Sequence, residues 1–235
     1  MLSSSSVRNA GIEVLKCRLG QIRRRENVHT SADEWVVMTG SRERPDGGNE
    51  PTTDLTRDRI DELVAEYEER EPFDLVEREH VETVPGAFAS GDFGRRDAEW
   101  PVQWYYRRRS LPDVDRRAAE ERFLDNHYEA MVDAIRGAAA ADSLDGKLDS
   151  LTALHGVDVP VASAFLAFTH PDAYVAVGKR EWNALRAAGE LDGAPPDSPT
   201  AGDYGRYLDA VRRVADRTDR DVWTVYRALW RLADD

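Results

Sequence analysis

Apolar residues in the last two-thirds of this 235-residue chain recur at helical spacing, and no useful alternating strand pattern interrupts them. The first clear stripe covers about residues 57–70, where four apolar residues at i, i+3, i+4 and i+7 share one helix face: Ile60, Leu63, Val64 and Tyr67. Two comparable stripes lie in the C-terminal part: Tyr207, Leu208, Val211, Val214 and Ala215, then Val222, Val225, Tyr226, Leu229 and Trp230. The pattern therefore predicts an all-α fold, a helical bundle.

Local signals refine this prediction between the stripes. Residues 82–97 are rich in glycine and indicate an ordered loop with aromatic anchors. Pro101 suits the first turn of a helix. Asn126, followed three residues later by Glu129, has the spacing of a capping box and predicts the start of a helix over 127–140.

The charge balance is acidic, with 45 Asp and Glu against 32 Lys and Arg and a net charge of −13. The lysines are Lys16, Lys147 and Lys179, so nearly all basic residues are arginines. This composition resembles that of proteins from extreme halophiles, in which dense carboxylates keep the surface hydrated in concentrated salt. The alternative is an acidic protein that avoids or mimics nucleic acid. Acidic residues are spread along every segment, which favours the halophile interpretation.

The first 37 residues differ from the rest, because they carry a net charge of +2 while the remainder carries −15. One explanation is a basic arm that contacts nucleic acid. The favoured one is that the natural chain begins at Met38 and the preceding residues are translated upstream sequence. Residues 39–54 are mostly turn-forming and charged and have the composition of a linker. We expect residues 1–54 to be a poorly ordered tail, and residues 55–235 to be one helical domain.

Several classes of protein are disfavoured. No apolar run approaches the roughly 18–20 residues needed to cross a bilayer, and no secretion-signal core follows Met1. The single cysteine, Cys17, excludes an internal disulfide and a cysteine-based metal cluster. The histidines have no metal-ligand spacing, and no phosphate-loop or dinucleotide fingerprint is present. We expect a cytoplasmic protein with neither a metal nor a cofactor.

Residues 148–185 carry the most informative pattern. A turn, His155-Gly156-Val157-Asp158-Val159, separates two short apolar segments, and the second of these is rich in alanine. The pattern predicts antiparallel helices over 144–154 and 160–168 that pack through Ala162 and Ala164. Gly156 permits the positive φ that ends the first helix. The N–H groups at the start of the second helix are a potential phosphate site.

Over about 40 residues this segment resembles the helix-hairpin-helix signature of the DNA glycosylase superfamily, and it looks closest to the 8-oxoguanine-glycosylase-like branch. That signature is Leu-x-Gly-Val-Gly, an alanine-rich helix, a proline-containing loop and an apolar run that ends in aspartate. The resemblance implies a glycosylase-type helical fold with DNA as the partner. It implies nucleic-acid contacts from residues 155–159, Lys179 and Arg180. It also implies a base pocket with four candidate wall residues: Trp100, Trp104, His170 and Trp182.

Three departures bear on chemistry. Asp158 replaces the second glycine of the turn and would repel a phosphate. Pro160 stands where bifunctional members have their attacking lysine. Gly178 stands where the family has its catalytic aspartate, and loss of such an electrostatic contribution costs roughly 3–4 kcal/mol or more. Glu181, three residues further on, is the candidate substitute.

A second candidate patch is Trp104-Tyr105-Tyr106 with the three following arginines. These residues can stack on bases and hold phosphates. The alternative, which we favour, is that the aromatics lie in the core and that the arginines lie in water or pair with carboxylates.

Three functional hypotheses follow. The leading one is a nucleic-acid-binding protein on a glycosylase-like scaffold without base-excision activity. The second is an active base-excision glycosylase with a relocated carboxylate, and the third is a non-catalytic protein-interaction module. Fold resemblance alone does not choose among them, and the sequence predicts no oligomeric state.

Overall fold

The computed structural model describes residues 54–233, which form ten helices and contain no strand. The all-α prediction is therefore confirmed for this part of the chain, whereas the predicted tail falls almost entirely outside it. The helices are α1 (Arg57–Arg70), α2 (Asp74–Ser90), α3 (Arg95–Arg107), α4 (Asp113–Leu124), α5 (Tyr128–Ala140), α6 (Leu144–Thr152), α7 (Val159–Thr169), α8 (Lys179–Ala187), α9 (Ala201–Thr218) and α10 (Val222–Leu232).

The loop predicted over residues 82–97 is wrong, because α2 continues to Ser90 and α3 begins at Arg95. Gly86 lies inside α2, and the other two glycines of this segment mark helix ends. Gly91, at φ +79°, ends α2 in the left-handed conformation, and Gly94 precedes the first residue of α3. Pro85 lies inside α2, where the helix tolerates its missing N–H.

The start signals predicted for two helices also differ from the structure, although the helix predicted over 127–140 agrees with α5. Pro101 lies in the middle of α3, whose first residue is Arg95 and whose N-cap is Gly94, where the Asp97 carboxylate accepts the Gly94 N–H at 2.8 Å. Asn126 does not cap α5. Its side chain donates to the His155 carbonyl and accepts from the His155 N–H, both at 2.9 Å. A residue predicted to start a helix thus ties the distant turn at 155 to the end of α4.

The two helices predicted on either side of Gly156 are present as α6 and α7. Gly156 has φ +78°, and a Cβ at this position would lie 2.9 Å from the backbone nitrogen of Phe123 in α4. Both the backbone conformation and the close approach to α4 therefore require glycine. Ala162 and Ala164, predicted as packing residues, are fully buried.

A buried ion pair lies at the centre of the domain. Glu77 of α2 is 0% exposed, and Arg108, which follows α3, donates to its Oε1 at 2.6 Å. The same carboxylate accepts from the Tyr67 hydroxyl and the Trp104 indole, each at 2.6 Å. Three donors thus replace the water that this charge would have at the surface.

Aromatic rings surround the cation of this pair. The Arg108 guanidinium carbon lies 3.9 Å from the centroid of the Trp230 ring and 4.8 Å from that of Trp104. The rings of Tyr67 and Tyr226 lie 5.5 Å away. Burial alone would lower the pKa of Arg108, but Glu77 together with Tyr226, Tyr67 and Glu71 outweighs it, and the pKa is raised well above its usual value. Arg108 therefore stays protonated, and its pair with Glu77 joins α1, α2, α3 and α10.

We predict that Arg108→Met destabilises the protein by about 3–5 kcal/mol, because it leaves the Glu77 charge buried without a cation. The double variant Glu77→Leu with Arg108→Met should cost less than the sum of the two single changes, since no charge remains buried. Urea unfolding measures both free energies.

The control is Arg57→Met, which removes an arginine from an exposed pair with Asp219. Its cost should stay within about 1 kcal/mol. A cost for Arg108→Met as small as that of Arg57→Met would show that the buried pair is not a stabilising centre.

Candidate functional site

A pocket of about 430 Å³ opens where α8 begins. Its walls come from the end of α3, the first residues of α7 and α8, the proline-rich loop at 195–199 and Trp230 of α10. It brings together five of the residues predicted from the resemblance: Asp158, Gly178, Lys179, Arg180 and Trp182. These five residues therefore lie around one concavity.

Three tyrosine hydroxyls fix the extended segment that leads into α8. Each donates to one of three successive carbonyl oxygens: Tyr204 to Val175 at 3.0 Å, Tyr207 to Ala176 at 3.1 Å and Tyr105 to Val177 at 3.2 Å. The Val177 N–H donates to the Ser163 hydroxyl at 2.9 Å. Buried backbone groups need such partners, and these bonds set the position from which α8 starts.

A cation faces position 178. A Cβ built on Gly178 would lie 2.2 Å from a terminal nitrogen of Arg109, so the absence of a side chain leaves room for that guanidinium. The same nitrogen donates to Glu181 at 3.0 Å. Burial alone would lower the pKa of Arg109, but the Glu181 carboxylate outweighs it and the pKa is raised.

Glu181, the candidate substitute catalyst, is therefore not a free carboxylate. It is 0% exposed and forms its ion pair with Arg109. A carboxylate held in this way is badly placed to activate water, because both of its oxygens accept from Arg109 and neither is exposed.

The first two side chains of α8 also line the pocket. Lys179 pairs with Asp197 at 2.6 Å, and both side chains are largely exposed. Arg180 donates twice to the carbonyl of Trp230, at 2.8 and 3.0 Å, and lies 4.1 Å above its ring. One basic side chain of α8 is therefore exposed, whereas the other is held against α10.

Several wall residues were not among the site residues predicted from the resemblance. They include Trp230 and the loop prolines Pro195, Pro196 and Pro199. Four residues of the aromatic and arginine patch described above line it as well: Tyr105, Tyr106, Arg108 and Arg109. Burial raises the pKa of Tyr105 to about 12 and also raises that of Tyr106, so both hydroxyls stay protonated at neutral pH.

The turn predicted to hold a phosphate has a carboxylate at the start of α7 that accepts one of the N–H groups there. The Asp158 carboxylate accepts the Val161 N–H at 3.0 Å, and Pro160 has no N–H to offer. His155 lies exposed, 3.8 Å from Asp125, and Val157 is buried. Of the turn residues predicted as nucleic-acid contacts, Asp158 alone lines the pocket.

Three of the four predicted wall residues lie elsewhere. Trp104 is buried beside Glu77, and Trp100 stacks on His80 at 4.3 Å. His170 lies 2.9 Å from the Lys147 ammonium, which also donates to the carbonyl of Ala138 near the end of α5. The second alternative for Trp104, a core position, is the one that the structure supports.

We predict that stability decreases as the pH falls below about 6.5. Burial lowers the pKa of His80 and of His170, and the neighbouring Lys147 lowers that of His170 further. Below the usual pKa of 6.5 the unfolded chain therefore binds more protons than the folded one. The free energy of unfolding decreases there as the pH falls. Urea unfolding at pH 5 to 8 measures this slope.

The double variant His80→Phe with His170→Gln should have a flatter stability profile over the same pH range. An equal slope in both proteins would assign the pH dependence to other groups.

Among residues 54–233, no helix is long and apolar enough to cross a membrane, and no group of three or more potential ligands could hold a metal ion. Comparisons with protein-family models, with curated proteins and with solved structures give no match to this chain.

Proposed function

We propose that this protein binds nucleic acid on a glycosylase-like helix-hairpin-helix scaffold, accepts one unstacked nucleotide in the pocket at α8, and does not excise the base. The observation that carries the proposal is the pocket itself, in which Gly178, Lys179 and Arg180 meet aromatic and cationic groups from α3 and α10. The resemblance of residues 148–185 supplies the nucleic-acid partner.

The dimensions and chemistry of the pocket suit a nucleotide. Its volume of about 430 Å³ lies within the range of roughly 300–1,000 Å³ typical of small-molecule sites. Tyr106 is partly exposed on its wall and offers a ring on which a base can stack. Arg109 and Lys179 supply donors for the acceptor edge of a base or for the backbone.

The same geometry argues against base excision. An oxocarbenium-like transition state needs a nearby anion, but position 178 carries no carboxylate and faces the Arg109 cation. The nearest family-derived candidate, Glu181, is buried in its ion pair. A cation at this point would raise the energy of a positively charged sugar, so the pocket favours binding over cleavage.

A protein-interaction module is the second candidate. The observation that favours it is the Asp158 cap, whose carboxylate occupies the Val161 N–H and places a negative charge where a phosphate would bind at the start of α7. The acidic balance of the chain, −13 overall, acts in the same direction because it repels polyanions at low salt.

We predict that the purified protein binds single-stranded DNA and that Tyr106→Ala weakens this binding about tenfold or more, since base–aromatic stacking is worth roughly 1–3 kcal/mol. Fluorescence anisotropy over a salt series measures the affinity. Tyr128→Ala is the matched control, because Tyr128 is also partly exposed but does not line the pocket. If the natural protein binds no nucleic acid at any salt concentration, the interaction module is the better account.

We further predict that neither the natural protein nor Glu181→Gln releases a base from a panel of damaged duplexes in high salt. Product analysis by chromatography measures release. Base release by the natural protein that disappears in Glu181→Gln would identify Glu181 as a relocated catalyst and overturn the proposal of a non-excising protein.

A further inference from the structure

The guanidinium groups that line the pocket have spare donors. The side chain of Arg108 is 2% exposed, yet its Nε and one terminal nitrogen have no hydrogen-bond partner among residues 54–233. Arg109 likewise has an unpartnered Nε, although one of its terminal nitrogens pairs with Glu181. Buried donors without acceptors are costly. The Arg108 donors lie among the aromatic rings described above, whereas the Arg109 side chain is 16% exposed at the pocket wall and is the one that an acceptor in the pocket can approach.

The start of α8 adds a second source of positive potential. Gly178 is its N-cap and has no side chain to accept the N–H groups of the first turn. The helix dipole adds partial positive charge at the same end. The first turn of α8 differs in this respect from that of α7, where the Asp158 carboxylate accepts an N–H.

The charged side chains that line the pocket are mostly cations. They are Arg108, Arg109, Lys179 and Arg180, against the carboxylates Asp158 and Asp197, while Glu77 and Glu181 lie behind the wall as the partners of Arg108 and Arg109. Exposed ion pairs such as that of Lys179 with Asp197 are weak. The Lys179 ammonium can therefore leave Asp197 for a ligand at little cost.

Resting on the proposed function, we infer that this pocket binds a nucleotide phosphate monoester, with its phosphate at the start of α8 between Arg109 and Lys179. A monoester carries about −1.5 to −2 charges at neutral pH, whereas a diester inside a strand carries one. A pocket also accommodates the end of a nucleic-acid strand more easily than an internal nucleotide, for which the strand must both enter and leave the pocket. The source is either the phosphorylated end of a strand or a free nucleotide.

The test compares single-stranded oligonucleotides that carry a 5′-phosphate, a 3′-phosphate or hydroxyls at both ends, with anisotropy measured on an internal label. At least one phosphorylated end should bind about tenfold tighter than the hydroxyl form, as expected for hydrogen bonds to a charged group. Competition with a nucleoside monophosphate and with the matching nucleoside distinguishes a free nucleotide from a strand end.

Lys179→Gln should reduce the preference for the phosphate at least threefold, and its exposed position leaves folding intact. Arg96→Gln is the control, since Arg96 is exposed at the far end of α3, does not line the pocket and removes the same charge. The double variant Arg109→Gln with Glu181→Gln removes the guanidinium without leaving a buried charge, and it should abolish the preference.

The outcomes separate this inference from the proposed function. Oligonucleotide binding without any preference for a phosphorylated end would overturn the inference and leave nucleic-acid binding intact. Binding of the monophosphate alone, weakened by Lys179→Gln, would support the inference and overturn the proposal of a nucleic-acid partner. A phosphate preference that Arg96→Gln reduces as much as Lys179→Gln does would place the phosphate elsewhere and overturn the inference.

Discussion

The buried pair of Glu77 and Arg108 is the constraint on which the rest of the domain depends. Water does not reach this carboxylate, so its donors must come from the chain, and they arrive from α1 and α3. Trp230 of α10 covers the cation. Arg109 is the next residue in the chain, so the pair that holds the core also directs a second guanidinium towards Gly178. The position of Arg109 at the pocket thus follows from the pairing of Glu77 with Arg108 in the core.

The helices that the sequence predicted well are those whose apolar stripes are strongly periodic. The helix predicted over about 57–70 agrees with α1, and the positive φ predicted at Gly156 is present. The segment 82–97 was mispredicted because glycine and proline give the same local signal at a helix end as in a loop. Tertiary packing decided between the two. Phe88 and Phe93 pack edge to face at 4.8 Å and hold the short α2–α3 connection in the core.

The candidate site likewise combines residues that are adjacent in the sequence with residues that only the fold brings together. Gly178, Lys179 and Arg180 are adjacent in sequence, so one motif placed them together. Arg109 and Glu181 lie 72 residues apart, so no local sequence spacing predicts that they pair. Aromatic residues one helical turn apart fit a core as well as a pocket. The resemblance made Trp104 a candidate wall, whereas its aromatic side chain favoured the core, and the structure places it in the core beside Glu77. Side-chain type and periodicity define a face, but they do not say what covers it.

The three tyrosines that hold the segment before α8 limit which substitutions the chain can accept during evolution. Phenylalanine is nearly the same size and usually replaces tyrosine without penalty in an apolar interior. At Tyr105, Tyr204 and Tyr207, however, the ring fills space while the hydroxyl serves a main-chain oxygen. Replacement by phenylalanine would keep the packing but remove the hydroxyl that donates to a main-chain carbonyl. Replacement of one of these tyrosines by phenylalanine, which substitution tables score as mild, should therefore be selected against here. It removes a hydrogen bond from the segment that positions Gly178.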